Sequence, residues 1–159
     1  MNLSITERPR EVRSVEVLLA EDNPGDVRLT REALKDSRVR VNLSVAVDGE
    51  EALAFMRRQG KYSGAPRPEL VLLDLNMPKK DGREVLAEMR KDPNLVCIPV
   101  VVLTTSEAEE DIVSSYKFHA NGYVTKPTYV DQFRVVVKAI EEFWMRVAKL
   151  PPHCGRHKQ

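Results

Sequence analysis

The sequence predicts an α/β protein in which a five-stranded parallel sheet lies between two layers of helices. Short apolar runs alternate along the chain with longer segments of helical period, the pattern of repeated βαβ units. Two runs, LVLL and VVVL, are apolar at every position, as expected for central strands that are covered on both faces. A third run, VNLSVAV at 41–47, alternates between apolar and polar residues and therefore predicts an edge strand.

The predicted elements account for most of the chain between residues 15 and 150. The strands are expected near 15–20, 41–47, 70–73, 99–104 and 122–125. Three helix starts are marked by turn residues, which are Pro24-Gly25, Gly82 and Pro127-Thr128. Two more starts fit a capping box, in which side chains and backbone N–H groups pair reciprocally: Asp48 with Glu51, and Ser106 with Glu109.

The length of 159 residues suits one domain, which we expect over residues 15–150. The polar segments 1–14 and 151–159 are expected to be disordered. The stretch RQGKYSGAPRPE at 58–69 is rich in glycine and proline, and it predicts a long surface loop between the second helix and the third strand.

Charge and composition exclude several classes of function. Lys and Arg total 25 against 24 Asp and Glu, and no basic stripe is interleaved with aromatic residues, so nucleic-acid binding is not expected. Residues 1–14 lack the apolar core of a signal peptide and no apolar run is long enough to span a membrane, which predicts a cytoplasmic protein. The two cysteines, Cys97 and Cys154, lie far apart and are expected to be plain thiols.

Polar residues follow four of the apolar runs, at the points where the predicted strands end. They are the acidic pair Glu21-Asp22, then Asp74, Thr104 and Lys126. Because the carboxyl ends of parallel strands open on one rim, we expect these side chains to converge. Three carboxylates, a hydroxyl and an ammonium group suit a divalent cation together with a phosphoryl group.

The residue types also suggest how such a site would work. A carboxylate such as Asp74 is a known protein nucleophile toward phosphorus. Glu21 and Asp22 beside it would repel it, and Mg²⁺ relieves this repulsion because it binds a few hard oxygens and keeps several waters. Lys126 and Thr104 would stabilise the transferring phosphoryl group by charge and by hydrogen bonding.

These motifs resemble the receiver domains of two-component response regulators, which histidine kinases phosphorylate on aspartate. The similarity runs from about residue 15 to 140 and includes the acidic pair, LVLLDLNMPKKDG, PVVVLTT and NGYVTKP. The intervals of 30 residues from Asp74 to Thr104 and 22 from Thr104 to Lys126 agree with the family without gaps. The resemblance implies a flavodoxin-like fold with strand order 2-1-3-4-5.

The resemblance also assigns roles to the site residues. Asp74 would be the phosphoacceptor, and Glu21, Asp22, Asp74 and the backbone carbonyl of Asn76 would bind Mg²⁺, for which Mn²⁺ or Ca²⁺ can substitute. Thr104 would report phosphorylation, Lys126 would contact the phosphoryl group, and Tyr123 would be the aromatic switch residue. Such a protein is not an enzyme toward a foreign substrate, because it catalyses only its own aspartyl phosphorylation and dephosphorylation.

The similarity is closer still to the single-domain regulators that pair with phytochrome histidine kinases. The shared features are PRPEL before the third strand, DLNMPKKDGREVLAEMR, VVVLTTS and the ending IEEFW followed by LP. This resemblance implies a phytochrome-type kinase as the partner and protein contacts as the output.

The last predicted helix suggests where those contacts lie. A helix from Tyr129 to Lys149 would be about 30 Å long and would extend beyond the sheet. Its overhanging end carries four apolar residues, which are Phe143, Trp144, Val147 and Leu150. We expect a homodimer through this end and through the face of the fourth helix, fifth strand and fifth helix, although one buried helix face could also explain the apolar pattern.

Three other classes share parts of this pattern. An aspartate-nucleophile phosphatase or phosphotransferase usually has a second carboxylate two residues after the nucleophile, where this chain has Asn76. A flavin mononucleotide carrier would need a Ser/Thr/Gly cradle after the first strand, where this chain has EDNPGD. An interaction module without phosphorylation is the third alternative.

Overall fold

The computed structural model of the chain describes residues 14–151, where five strands alternate with helices. The strands are β1 (Ser14–Ala20), β2 (Arg40–Ala46), β3 (Leu70–Leu73), β4 (Val100–Thr104) and β5 (Gly122–Thr125). The helices are α1 (Pro24–Lys35), α2 (Gly49–Arg57), α3 (Gly82–Lys91), α4 (Glu109–Lys117) and α5 (Val130–Ile140). A 3₁₀ turn spans Gly60–Tyr62, and α5 continues into a C-terminal π-helix over Glu141–Val147.

The sheet is parallel throughout, with the strand order β2-β1-β3-β4-β5. Every residue of β3 and β4 is buried, whereas exposed and partly buried residues alternate at the start of β2. The predicted strand order, the two central strands and the edge position of β2 are therefore confirmed.

Helices cover both faces of the sheet, which confirms the predicted three layers. Alternate residues of β3 point to opposite faces, as the pleat of a strand requires. Val71 and Leu73 pack in one core with α2 and α3, while Leu70 and Leu72 pack in a second core with α1 and α5. The loops that leave the strand ends are thereby fixed at one edge of a rigid sheet.

Two of the three helix starts that turn residues mark agree with the prediction. α1 begins at Pro24 and α3 at Gly82, as predicted. α5 begins later than predicted, at Val130 rather than at Pro127-Thr128, because the backbone of Tyr129 is still extended and makes this residue the N-cap.

The two predicted capping boxes have different outcomes. Asp48 Oδ1 accepts from Glu51 N at 2.7 Å, but the Glu51 carboxylate accepts from Tyr62 instead of returning to Asp48. Ser106 does not cap α4, which begins at Glu109 after Ala108 and has no side-chain cap. The expectation for Ser106 is wrong because its hydroxyl donates to Asp111, at 2.5 Å.

The long loop at 58–69 is present, and it is anchored to α2. The Tyr62 hydroxyl donates to Glu51 Oε1 at 2.6 Å, and its ring meets that of Phe55 edge to face at 5.3 Å. Burial and the Glu51 carboxylate raise the pKa of Tyr62 to about 12. A tyrosine in the middle of the loop therefore limits how far the loop can move from the domain.

The C-terminal end of the last helix differs from the prediction of one helix over Tyr129–Lys149. Within the π-helix Met145 is buried, and Leu150 beyond it also packs in the core, whereas Phe143 is 52% and Val147 73% exposed. The i→i+5 bonds of a π-helix rotate later residues relative to the α-helical repeat. The predicted overhang is therefore wrong for Leu150 and for Trp144, which packs partly buried against the same core, and it holds for Phe143 and Val147.

One expectation concerns the two ends of the chain, and another concerns its cysteines. The segments expected to be disordered lie outside residues 14–151, except that Ser14 belongs to β1 and Pro151 is described.

The expectation of a plain thiol is wrong for Cys97, which is exposed on the loop between α3 and β4 and forms a disulfide bond. The second cysteine, Cys154, lies outside the described residues. Among residues 14–151, no helix has the length and apolar character to cross a membrane.

Candidate functional site

The ends of the strands bring the predicted site residues together at one rim. The first residue after a strand continues the hydrogen bonding of the sheet: Asp74 N donates to Ala20 O at 3.0 Å, and Lys126 N donates to Thr104 O at 2.7 Å. Glu21 leaves β1 at the same edge and is tied in the same way to β2. The backbone positions of these residues are therefore set by the sheet.

Three carboxylates form a cluster at this rim. Oxygens of Glu21, Asp22 and Asp74 all lie within 4.8 Å of one another. Glu21 and Asp74 are buried, and Asp22 is exposed to solvent. Hard carboxylate oxygens with one side open to water match the preference of Mg²⁺ and similar divalent cations. The residues present therefore fit a divalent metal ion.

Lys126 places its ammonium group among the carboxylates. Its Nζ donates to Asp26 Oδ2 at 2.8 Å, to Asp74 Oδ2 at 3.2 Å and to Glu21 Oε1. The side chain is only 4% exposed. Burial by itself would lower the pKa of Lys126, but the hydrogen bonds to Asp26 and Glu21 outweigh it and raise this pKa. Lys126 therefore stays charged within the site.

Burial changes the pKa of the Glu21 carboxylate. Removal from water raises the pKa of Glu21 to about 7, although the hydrogen bond and charge of Lys126 oppose the shift. The negative charge of Asp74 adds to the increase. The hydrogen bond and charge of Lys126 therefore do not fully offset the effect of burial on the pKa of Glu21.

Asp74 is held in place on both of its oxygens. Asn76 N donates to Oδ1 at 3.2 Å, and Lys126 Nζ donates to Oδ2 at 3.2 Å. Asp74 is only 6% exposed, beneath Lys126 and its acidic neighbours. Access to Asp74 therefore requires these side chains to shift.

A second group of contacts joins Thr104 to Tyr123. Thr104 is fully buried, and its Oγ1 accepts from Ser106 N at 3.4 Å. The Tyr123 hydroxyl donates to the Ser106 carbonyl at 2.9 Å, and its ring packs against the core beneath α2 and α3. The predicted switch residues therefore contact the same residue of the loop between β4 and α4.

An ion pair ties this loop to two helices. Asp111 of α4 accepts from the Ser106 hydroxyl and pairs with Arg83 of α3, whose Nε lies 2.8 Å from Oδ1 and whose Nη2 lies 2.7 Å from Oδ2. The hydrogen bonds from Arg83 and Ser106 lower the pKa of Asp111. A chain of polar contacts thus runs from Thr104 through Ser106 and Asp111 to α3.

Sequence reasoning missed three of these residues. Asp26 lies in the first turn of α1, and its place in the acidic segment EDNPGD directly after β1 could have indicated that it too lies at the rim. Arg83 and Asp111 lie on different helices, and no local signal links them. Asn76 contributes its N–H to Asp74, and the role of its carbonyl as a metal ligand stays a prediction.

A cluster of three carboxylates and a buried lysine, at the carboxyl edge of a parallel sheet of order 2-1-3-4-5, defines the receiver of a two-component system. The chain belongs to the response regulator receiver domain family, which it matches over residues 17–138. This confirms the predicted class of protein and argues against the flavin carrier and the phosphatase alternatives.

Individual relatives are response regulators of similar length. The chain is 50% identical over 135 residues to response regulator Rcp1 of Synechocystis sp.. The aligned region covers 85% of this chain and 92% of Rcp1. The structure of the phosphorylated cyanobacterial phytochrome response regulator RcpA is similar, with 52% identity, a TM-score of 0.85 and coverage of 87% of this chain and 99% of RcpA. The structure of the Mn²⁺-bound form of Rcp1 has 49% identity and a TM-score of 0.84, and the match covers 86% of this chain and 99% of the Rcp1 chain.

Proposed function

We propose that this response regulator works in the cytoplasm, accepts a phosphoryl group on Asp74 from a histidine kinase, and signals through contacts with other proteins. The observation that carries the proposal is the position of Asp74 between the carboxylates of Glu21 and Asp22 and the ammonium group of Lys126. Its chemistry is limited to its own phosphorylation and dephosphorylation, without a foreign substrate.

We assign Mg²⁺ as the cofactor, with Mn²⁺ or Ca²⁺ able to replace it. Glu21, Asp22 and Asp74 would hold the ion, and the backbone carbonyl of Asn76 would complete the protein ligands. The Mn²⁺-bound form of Rcp1 supports a divalent ion in a relative of 49% identity. When bound, the ion supplies positive charge that neutralises the carboxylates and the phosphoryl oxygens.

The phosphoryl transfer follows from the positions of the side chains. An oxygen of Asp74 forms a bond to phosphorus while the bond between phosphorus and the kinase imidazole nitrogen breaks, and the imidazole keeps the electron pair. Lys126, already 3.2 Å from Asp74 Oδ2, then donates to an oxygen of the transferred group. The protein contributes mainly position and charge to this step.

A phytochrome-type photoreceptor kinase is the proposed phosphoryl donor. RcpA is described as a cyanobacterial phytochrome response regulator, and a bacteriophytochrome response regulator named AtBRR is 40% identical to this chain. The proposal is tested by presenting the protein with phosphorylated kinases, one of phytochrome type and others not. Preferential transfer from the phytochrome kinase supports the pairing, and equal transfer from all donors contradicts it.

Phosphorylation would act on the loop between β4 and α4. A phosphoryl group adds roughly −1.5 to −2 charge beside Thr104. If the Thr104 hydroxyl turns to donate to a phosphoryl oxygen, its contact with Ser106 N is lost and the loop moves. The Tyr123 hydroxyl contact to the Ser106 carbonyl would then break, which frees the ring to turn inward.

Replacement of Thr104 with alanine is expected to separate phosphorylation from this loop movement. Phosphorylated wild-type protein should show altered hydrogen exchange over residues 105–117, whereas phosphorylated Thr104→Ala should show little change. The lost charge-assisted hydrogen bond corresponds to about 1.5–3 kcal/mol, enough to shift the equilibrium by tenfold or more. Thr105→Ala, which removes the same side chain from the exposed neighbouring position, is the matched control. A normal response of Thr104→Ala would contradict the switch.

We propose that the output surface forms a homodimer through α4, β5 and α5 together with the C-terminal π-helix. Exposed apolar side chains occur on each of these helices. They include Val113 and Tyr116 of α4, Val135 of α5, and Phe143 and Val147 of the π-helix. A second copy of the chain would remove these groups from water.

Two exposed residues of the π-helix provide the test. The double variant Phe143→Ser with Val147→Ser should weaken dimerisation at least tenfold in sedimentation equilibrium, because burial of such side chains contributes about 1.5–3 kcal/mol each. Point variants are preferable to truncation after Glu142, which would also remove buried Met145 and Leu150 from the core. Val96→Ser, at a 44% exposed valine on the loop between α3 and β4, serves as control. Unchanged association of the double variant would exclude the π-helix from the interface.

A further inference from the structure

Asp26 is a fourth carboxylate at the rim. It is the third residue of α1, and its side chain is 23% exposed. Its Oδ2 accepts from Lys126 Nζ at 2.8 Å. Among the described residues, the group of acids that could hold a metal contains Glu21, Asp22 and Asp74 but not Asp26. Asp26 therefore contacts the lysine without belonging to the metal cluster.

Lys126 and a divalent cation would compete for two of the same carboxylates. The ammonium group contacts Glu21 Oε1 and Asp74 Oδ2, and both residues belong to the metal cluster. An ion held by Glu21 and Asp74 would repel the ammonium group and would compete for two of its three carboxylate partners. A nearly fully buried ammonium group without a partner is strongly unfavourable. Asp26 is the partner that remains.

We propose that Asp26 is a positioning residue for phosphoryl transfer, which holds the Lys126 ammonium group beside Asp74 while a divalent cation occupies the other carboxylates. This inference rests on the proposed function of the Asp74 site. It deepens that proposal, because it explains how one buried lysine and one metal ion can share three acidic neighbours. In this arrangement Lys126 keeps one hydrogen bond to Asp26 and has donors free for the phosphoryl oxygens.

A purely structural role for Asp26 makes a different prediction. An acid in the first turn interacts favourably with the helix dipole, which contributes about 0.3–1 kcal/mol to stability. Glu84 occupies the same third position in α3 and is exposed, so it experiences the same helix-end effect without contacting Lys126. Glu84→Gln is therefore the matched control for Asp26→Asn.

The test measures Mn²⁺ affinity of the full chain from the electron paramagnetic resonance signal of the free ion. Asp26→Asn should weaken Mn²⁺ binding about tenfold, since Lys126 then depends on Glu21 and Asp74 alone and competes more strongly with the ion. Glu84→Gln should bind Mn²⁺ as the wild type does. Asp26→Ser provides a second uncharged variant, and circular dichroism establishes that each variant is folded.

A double-mutant cycle with Lys126→Met separates an effect through the lysine from a general loss of negative charge. If Asp26 acts by holding Lys126, Asp26→Asn should leave Mn²⁺ affinity unchanged when residue 126 is methionine. An equal loss of affinity in both backgrounds, or no loss in either, would overturn the inference. Failure of the wild-type protein to bind Mn²⁺ would instead overturn the proposed function itself.

Discussion

The Asp74→Asn variant is expected to lose phosphorylation completely. Wild-type protein treated with acetyl phosphate and Mg²⁺ should gain a labile adduct of about 80 Da, the mass of one HPO₃ group. Asparagine keeps the shape of the side chain but removes the anionic oxygen that attacks phosphorus. Intact-protein mass spectrometry before and after mild base treatment measures both the adduct and its lability.

This variant is not expected to lose its fold. The negative charge of Asp74 raises the pKa of Glu21, so removal of that charge relieves repulsion within the buried cluster. Its melting temperature should therefore be at least that of the wild type. Asp36→Asn, at an exposed residue after α1, is the control for the same chemical change. A base-labile adduct that persists on Asp74→Asn would show that another residue accepts the phosphoryl group.

The Gly82→Ala variant is expected to be severely destabilised. A Cβ atom at Gly82 would lie 2.2 Å from the Asp74 carbonyl oxygen and 2.7 Å from the Leu75 Cα. Both are backbone atoms at the end of a buried strand, so neither can move without displacing Asp74. We expect the free energy of unfolding to fall by about 3 kcal/mol or more, at the upper end for overpacked positions.

Urea denaturation compares this variant with Gly64→Ala. A Cβ at Gly64 meets no atom within 4 Å, so this control should change stability little. Any folded Gly82→Ala protein should also bind Mn²⁺ weakly, since the Asp74 backbone must shift to make room. Equal stability of the two variants would contradict the close packing of α3 on the loop after β3.

Local patterns in the sequence determined the strands, the class of fold and most of the site. LVLL and VVVL identified β3 and β4 because a strand covered on both faces has no polar position. The rim residues were predictable because they come at the ends of predicted strands and parallel strands open on one edge. Asp74 and Lys126 could thus be placed together without any knowledge of their side-chain contacts.

Tertiary packing decided the features that depend on contacts between distant parts of the chain. Ser106 fits a helix cap by its local sequence, yet its hydroxyl binds Asp111, which Arg83 holds from a different helix. The contact between Asp26 and Lys126 joins residues 100 positions apart, and no periodicity encodes it. Local propensity acts over a few residues, whereas these pairings form only after the sheet has fixed the positions of both partners.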